Sequence, residues 1–172
     1  MHPRIAELVD YIDAQNELLR EAFERVAAEQ VAVRPAPDRW SAAEVVHHLA
    51  IVERRLVQRL TQLVEEARAM EPEDQTASLF PMVIATRVAT RDRRFPTSAA
   101  GEPKDTEASR VWSDFMDVRK ELKDVIASGD GLRLGAVYAP HPALGPLSAY
   151  EWIAFAGAHA ARHAEQVREM VT

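Results

Sequence analysis

His159 and His163 stand four residues apart in "HAARHAEQV" (159–167), a spacing that throws both imidazoles to one side of an α-helix. Two such rings suit a divalent metal ion, and they equally suit a core in which each finds a hydrogen-bond partner. A second pair, His47 and His48, occurs in "VVHHLA" (45–50). The chain contains no cysteine. Any metal is therefore held by His, Asp or Glu, and disulfides and a cysteine nucleophile are excluded.

The elements that position these residues read as four amphipathic helices. Residues 3–29 carry Ile5, Leu8, Val9, Ile12, Leu19, Phe23 and Val26 at helical spacing, and "RPAPDRW" (34–40) then breaks the run. A second run, 41–69, has Val45, Leu49, Val52, Leu56, Leu60 and Leu63 on one stripe. A third covers about 106–128, with Val111, Phe115, Val118, Leu122 and Val125. The fourth runs from Ser148 nearly to the last residue. "SAAE" (41–44) and "SAYE" (148–151) fit the capping box that satisfies free N–H groups at a helix start. "GDG" (129–131) and "GP" (145–146) supply stop and turn signals.

No run alternates with a period of two, so no strand is expected. The reading is an all-α four-helix bundle formed by one domain, 1–172. The connection at 70–105 is too long for a simple turn. It is long enough for a crossover that lets neighbouring helices run parallel, and "FPMVIATRVATRDRR" (80–94) has room for a short extra helix.

At about 100° per residue, Trp152, Ala156, His159, His163 and Met170 share one narrow stripe of the fourth helix, at the centre of its buried face. Burying an imidazole without a partner costs roughly 1–3 kcal/mol. Both rings therefore need acceptors, or something that both can bind. On the second helix His48 lies about 60–70° from the centre of the apolar stripe, while His47 points nearly opposite it, towards solvent or a partner chain. His48, His159 and His163 are thus the three histidines able to enclose one ion. His141 and His2 read as loop and terminal residues.

With "WSAAEVVHHLA" (40–50) and "HAARHAEQV" (159–167) in view, the chain resembles the DinB/YfiT-like superfamily of metal-binding bundles, closest to its DinB_2-type members. The family pattern has Trp-Ser, a Glu three residues on, a His-Leu pair, and a later His-x-x-x-His-x-x-Gln. "RFPTSAAGEP" (94–103) and "HPALGPLSAYEW" (141–152) also look like its connecting segments. The resemblance implies an up-down-down-up four-helix bundle with a long crossover between the second and third helices. It also implies one divalent metal on His48, His159 and His163, with zinc, nickel, iron and manganese all eligible. Members of known chemistry include S-transferases using bacillithiol or mycothiol and a mycothiol-dependent maleylpyruvate isomerase; others are described as metal-dependent hydrolases. Relatives often dimerise, so a homodimer is an expectation too.

Three imidazoles leave a coordination position open, as at catalytic sites. A metal there lowers the pKa of bound water to about 7 or deprotonates a bound thiol. The leading expectation is therefore transfer of a low-molecular-weight thiol to an electrophile in stress response or detoxification. A hydrolase with a water nucleophile and a non-enzymatic, metal-stabilised binding protein are the alternatives. Gln166, on the face of His159 and His163, is expected to orient a ligand or bind substrate. Glu44 has a similar position before His48, with the capping box as its other role, and Arg55, two turns after His48, reads as a solvated face residue or as a group holding a substrate carboxylate. Trp40 is expected to pack where the second helix begins. Arg87, Arg91, Arg93 and Arg94 form a locally basic stretch, either a salt-bridged loop or a clamp for an anionic cosubstrate.

The formal net charge of −6 argues against generic nucleic-acid or anionic-membrane binding, leaving a small molecule as the expected partner. No stretch is long and apolar enough to span a bilayer, and Met-His-Pro-Arg lacks the apolar core of a secretory signal, so a cytoplasmic location is expected.

Overall fold

A computed structural model describes residues 1–91 and 99–171. It contains α1 (Pro3–Glu24), α2 (Ala42–Ala67), α3 (Val83–Ala89), α4 (Val111–Ser128), β1 (Tyr138–His141), β2 (Gly145–Ser148) and α5 (Ala149–Arg168). The four long helices are those the apolar periodicity predicts, and they form an all-α bundle.

Their relative directions follow from which ends meet. Arg4 of α1 lies over the Tyr150 ring at the start of α5, and Tyr11 packs on Gly157 one helical stage later. These two helices therefore run parallel. On the other side, His47 meets Thr106 just before α4, Glu53 meets Arg119, and Arg68 reaches the Ser128 carbonyl. So α2 and α4 also run parallel, opposed to α1 and α5. The core divides accordingly. One cluster joins Ile5, Leu8 and Ile12 to Leu60, Leu63, Leu122, Ile126 and Ile153. The other joins Leu19, Ala22, Val45, Leu49, Phe115, Ala160 and Ala164. The histidines of interest lie at the end of the bundle that holds this second cluster.

Both capping boxes form. Ser41 Oγ accepts from Glu44 N while Glu44 accepts from Ser41 N, and Ser148 and Glu151 repeat the exchange. The short helix α3 occupies the connection after α2, within the stretch that had room for one, and packs on α5.

Two boundaries and one added element differ from the sequence reading. α1 ends at Glu24 rather than at 29, because residues 25–33 fold into successive turns (Val26 N to Phe23 O, Gln30 N to Ala27 O, Val33 N to Gln30 O). Beyond Val26, "AAEQ" offers no apolar stripe to hold a further turn on the core. α4 begins at Val111 rather than near 106, where Thr106 is engaged by His47 instead. The antiparallel hairpin β1–β2 was not expected at all. Its strands are four residues long and contain Pro140 and Pro146, too short and too broken to show a period of two. Gly145 closes its three-residue loop at φ +84°, where a side chain would be strained. Among the described residues, no helix is long and apolar enough to cross a membrane.

Candidate metal centre

The second turn of α2 and the last three turns of α5 bring three imidazoles together. His159 Nε2 lies 3.0 Å from His163 Nε2 and 3.4 Å from His48 Nε2. Nitrogens bound to one ion at ~2.0–2.1 Å stand about 2.9–3.4 Å apart for angles between 90° and the tetrahedral value. The observed spacings span that interval. Among the described residues, these three histidines are the group of ligand-type side chains close enough to share one ion.

The outer nitrogens fix which way the lone pairs face. His48 Nδ1 is 2.7 Å from the Gly101 carbonyl oxygen, so Nδ1 donates and Nε2 is left as an acceptor. His163 Nδ1 donates likewise to Gln166 Oε1 at 2.8 Å, which leaves its Nε2 bare. Two lone pairs thus face His159 Nε2, which can supply only one proton between them. His159 Nδ1 is itself buried without a hydrogen-bond partner among the described residues. Polar-network logic alone leaves this arrangement short of donors, whereas a cation at the convergence satisfies all three Nε2 atoms. The residues present fit a divalent metal.

Electrostatics favours the neutral rings that such a site needs. Burial, helped by the neighbouring His48, pushes the His163 pKa down to about 3. Burial is also the main cause that lowers His48, and it holds His159 well below the usual imidazole value. His48 and His163 are buried, while His159 keeps partial solvent exposure. That exposed side is shaped by aromatic rings: Phe155 stacks on His159 at 5.2 Å, and Trp40 leans on His48 at 4.8 Å.

The other residues singled out from sequence divide as follows. Gln166 touches the cluster directly. The Glu44 carboxylate is taken by the Ser41 cap and by Arg34, which together hold its pKa below the usual value. Arg55 Nη2 donates to the Ala100 carbonyl. Trp40, expected only to pack at the helix start, also covers His48. His47 does not face open solvent: it is half-buried, with Nδ1 2.8 Å from Thr106 Oγ1, because the segment before α4 folds over that face of α2. His2 caps α1 by accepting from Arg4 N. His141 accepts from Ala143 N and packs against Trp152 and Phe155, one ring removed from His159. In the basic stretch, Arg91 pairs with Glu169, which also meets Arg39; Arg93 and Arg94 lie outside the described residues. A cavity of about 520 Å³ bordered by Arg4, Glu73, Arg133 and Tyr150 sits at the opposite end of the bundle and does not touch the histidines.

Sequence reasoning missed two contributors. The Gly101 carbonyl is a backbone group with no side-chain signature. Phe155 did carry a signal, since it stands four residues before His159 on the same helical face.

The family model of the DinB superfamily matches residues 11–167. An uncharacterized Bacillus subtilis (strain 168) protein, YuaE, is 27% identical over 142 residues, covering 83% of each chain. No solved structure matches.

Proposed function

The chain belongs to the DinB superfamily, and from that footing we propose that it is a metal-dependent enzyme transferring a low-molecular-weight thiol to an electrophilic small molecule, in stress response or detoxification. One observation carries the reading. Three imidazole lone pairs converge beside a partly exposed ring, and among the described residues no further His, Asp or Glu joins them. Closed structural sites recruit four protein ligands, whereas sites that work on exogenous molecules keep a position open. A divalent ion bound there supplies Lewis acidity that makes a thiol or a water nucleophilic at neutral pH.

The chain's own residues do the positioning. The Gly101 carbonyl and Gln166 hold His48 and His163 with their Nε2 atoms inward. Phe155 and Trp40 cover ring faces and keep water from the flanks of the cluster, leaving approach along the exposed side of His159. The protein has no cysteine, so the thiol in this reading comes from a cosubstrate.

The test is turnover. Metal-loaded protein is mixed with a panel of low-molecular-weight thiols and a chromogenic electrophile, and both thiol loss and conjugate are followed. The reading expects conjugation that His48→Ala abolishes. Absence of turnover with every thiol, in protein carrying a full metal complement, contradicts it. Hydrolysis of an ester or amide without thiol would assign a water nucleophile instead. Metal that stabilises the fold without either activity would identify a binding protein.

A further inference from the structure

The segment leading into α4 is attached to α2 at three successive points. Arg55 Nη2 donates to the Ala100 carbonyl, His48 Nδ1 to the Gly101 carbonyl, and His47 Nδ1 meets Thr106 Oγ1. Side chains of α2 thus fasten this stretch to the bundle. Gly101 is buried and Ala100 exposed, so the strap dips into the bundle at the residue that meets His48.

This geometry makes the Gly101 carbonyl a device for choosing a tautomer. A neutral imidazole carries one proton, on either nitrogen, and the partner of one nitrogen decides the state of the other. With the carbonyl 2.7 Å from Nδ1, the proton is kept there and Nε2 faces the cluster as an acceptor. The carbonyl can do this only while the turn at 99–101 stays where it is. Arg55, two helical turns after His48 and anchored to the adjacent carbonyl by a charge-assisted bond, is the group that holds it.

We propose that Arg55 is a positioning residue for His48: by holding the Ala100 carbonyl it keeps the Gly101 carbonyl against His48 Nδ1 and so fixes the tautomer that presents Nε2 to the candidate metal centre. The tautomer relation stands on the protein alone. Its consequence for metal affinity rests on the metal-site reading above.

The experiment uses uniformly ¹⁵N-labelled, metal-free protein and long-range ¹H–¹⁵N correlation, which reports the protonated nitrogen of each histidine. Wild type should show His48 protonated at Nδ1 alone. Arg55→Ala should shift both His48 ring nitrogens towards averaged values, while His163, held by Gln166, keeps its Nδ1–H form. Arg55→Lys, which retains a cationic donor, should restore most of the wild-type pattern. Zinc affinity measured by chelator competition should fall about tenfold in Arg55→Ala, the low end for loss of a group supporting a ligand. Unchanged His48 nitrogens in Arg55→Ala overturn the inference. So does a loss of the His163 pattern together with that of His48, because it would mean general disruption. If His48 responds as expected but wild type binds no zinc, the positioning role stands and the metal-site reading fails.

Discussion

The Nε2 atoms of His159 and His163 face each other across 3.0 Å, one helical turn apart on α5, with the His163 ring locked from behind by Gln166. An isolated i, i+4 pair on a helix has no reason to turn both ring nitrogens inward. Here the outer acceptor imposes the direction. Gln166→Ala should therefore weaken zinc binding by about 10–100-fold, as loss of such an outer partner typically does. Gln166→Glu, which keeps an acceptor, should retain most of the affinity. Chelator competition measures both.

Metal binding should also appear as stability. A ligand present at 100 times its dissociation constant and bound only by the folded state adds about 2.7 kcal/mol. Added zinc should raise the melting temperature of the wild type, a chelator should reverse the gain, and His163→Ala should show neither effect. Thermal melts at fixed protein concentration decide this.

The buried pair between Glu53 and Arg119, 1% and 3% exposed in their side chains, tests the interior of the α2–α4 interface. Burial pushes the Glu53 carboxyl up from 4.5 to about 7, against the pull of Arg119. Between those values the folded protein holds a proton that the unfolded chain has released. The stability this group contributes is present below about pH 4.5 and is lost as pH rises through about 7. Denaturation midpoints across that window should fall less steeply in Glu53→Gln than in wild type. Arg119→Met, which leaves the buried carboxyl without its partner, should cost about 1–3 kcal/mol below about pH 7, whereas Glu53→Leu combined with Arg119→Met should recover much of that loss.

Gly157 of α5 lies directly against the Tyr11 ring of α1. A Cβ at this position would stand 2.5 Å from Tyr11 Cε1 and 2.7 Å from Cδ1. Alanine in a helix ordinarily gains about 1 kcal/mol over glycine. Here the collision should outweigh the gain, and Gly157→Ala should be net destabilising, with overpacking costs typically about 1–3 kcal/mol. Chemical denaturation measures the sign directly.

What was legible in the sequence was what short-range chemistry encodes. Ser41 with Glu44 and Ser148 with Glu151 announce their own helix starts because a capping box closes within four residues. His159 and His163 could be placed on a buried face because helical rotation is nearly constant. His48 followed from the same rotation applied to α2. The misreadings lie where a long connection returns to the bundle. The sequence directs His47 to solvent or a partner chain because nothing in the α2 periodicity records that Thr106 folds over it. The Gly101 carbonyl is invisible for the same reason, and so is the bond from Arg55 to the Ala100 carbonyl, since the α2 periodicity marks Arg55 only as a face residue or a substrate cation. Pairing of Glu53 with Arg119 needed the parallel register of α2 and α4, which depends on tertiary packing.

The central claim is that His48, His159 and His163 together hold one divalent ion. Elemental analysis of protein purified without a metal-affinity tag, beside the His163→Ala variant, tests it most directly. About one transition-metal ion per wild-type chain, lost in the variant, is the expected result. No metal in either protein, even after equilibration with zinc, would contradict the claim and leave three hydrogen-bonded core histidines in its place.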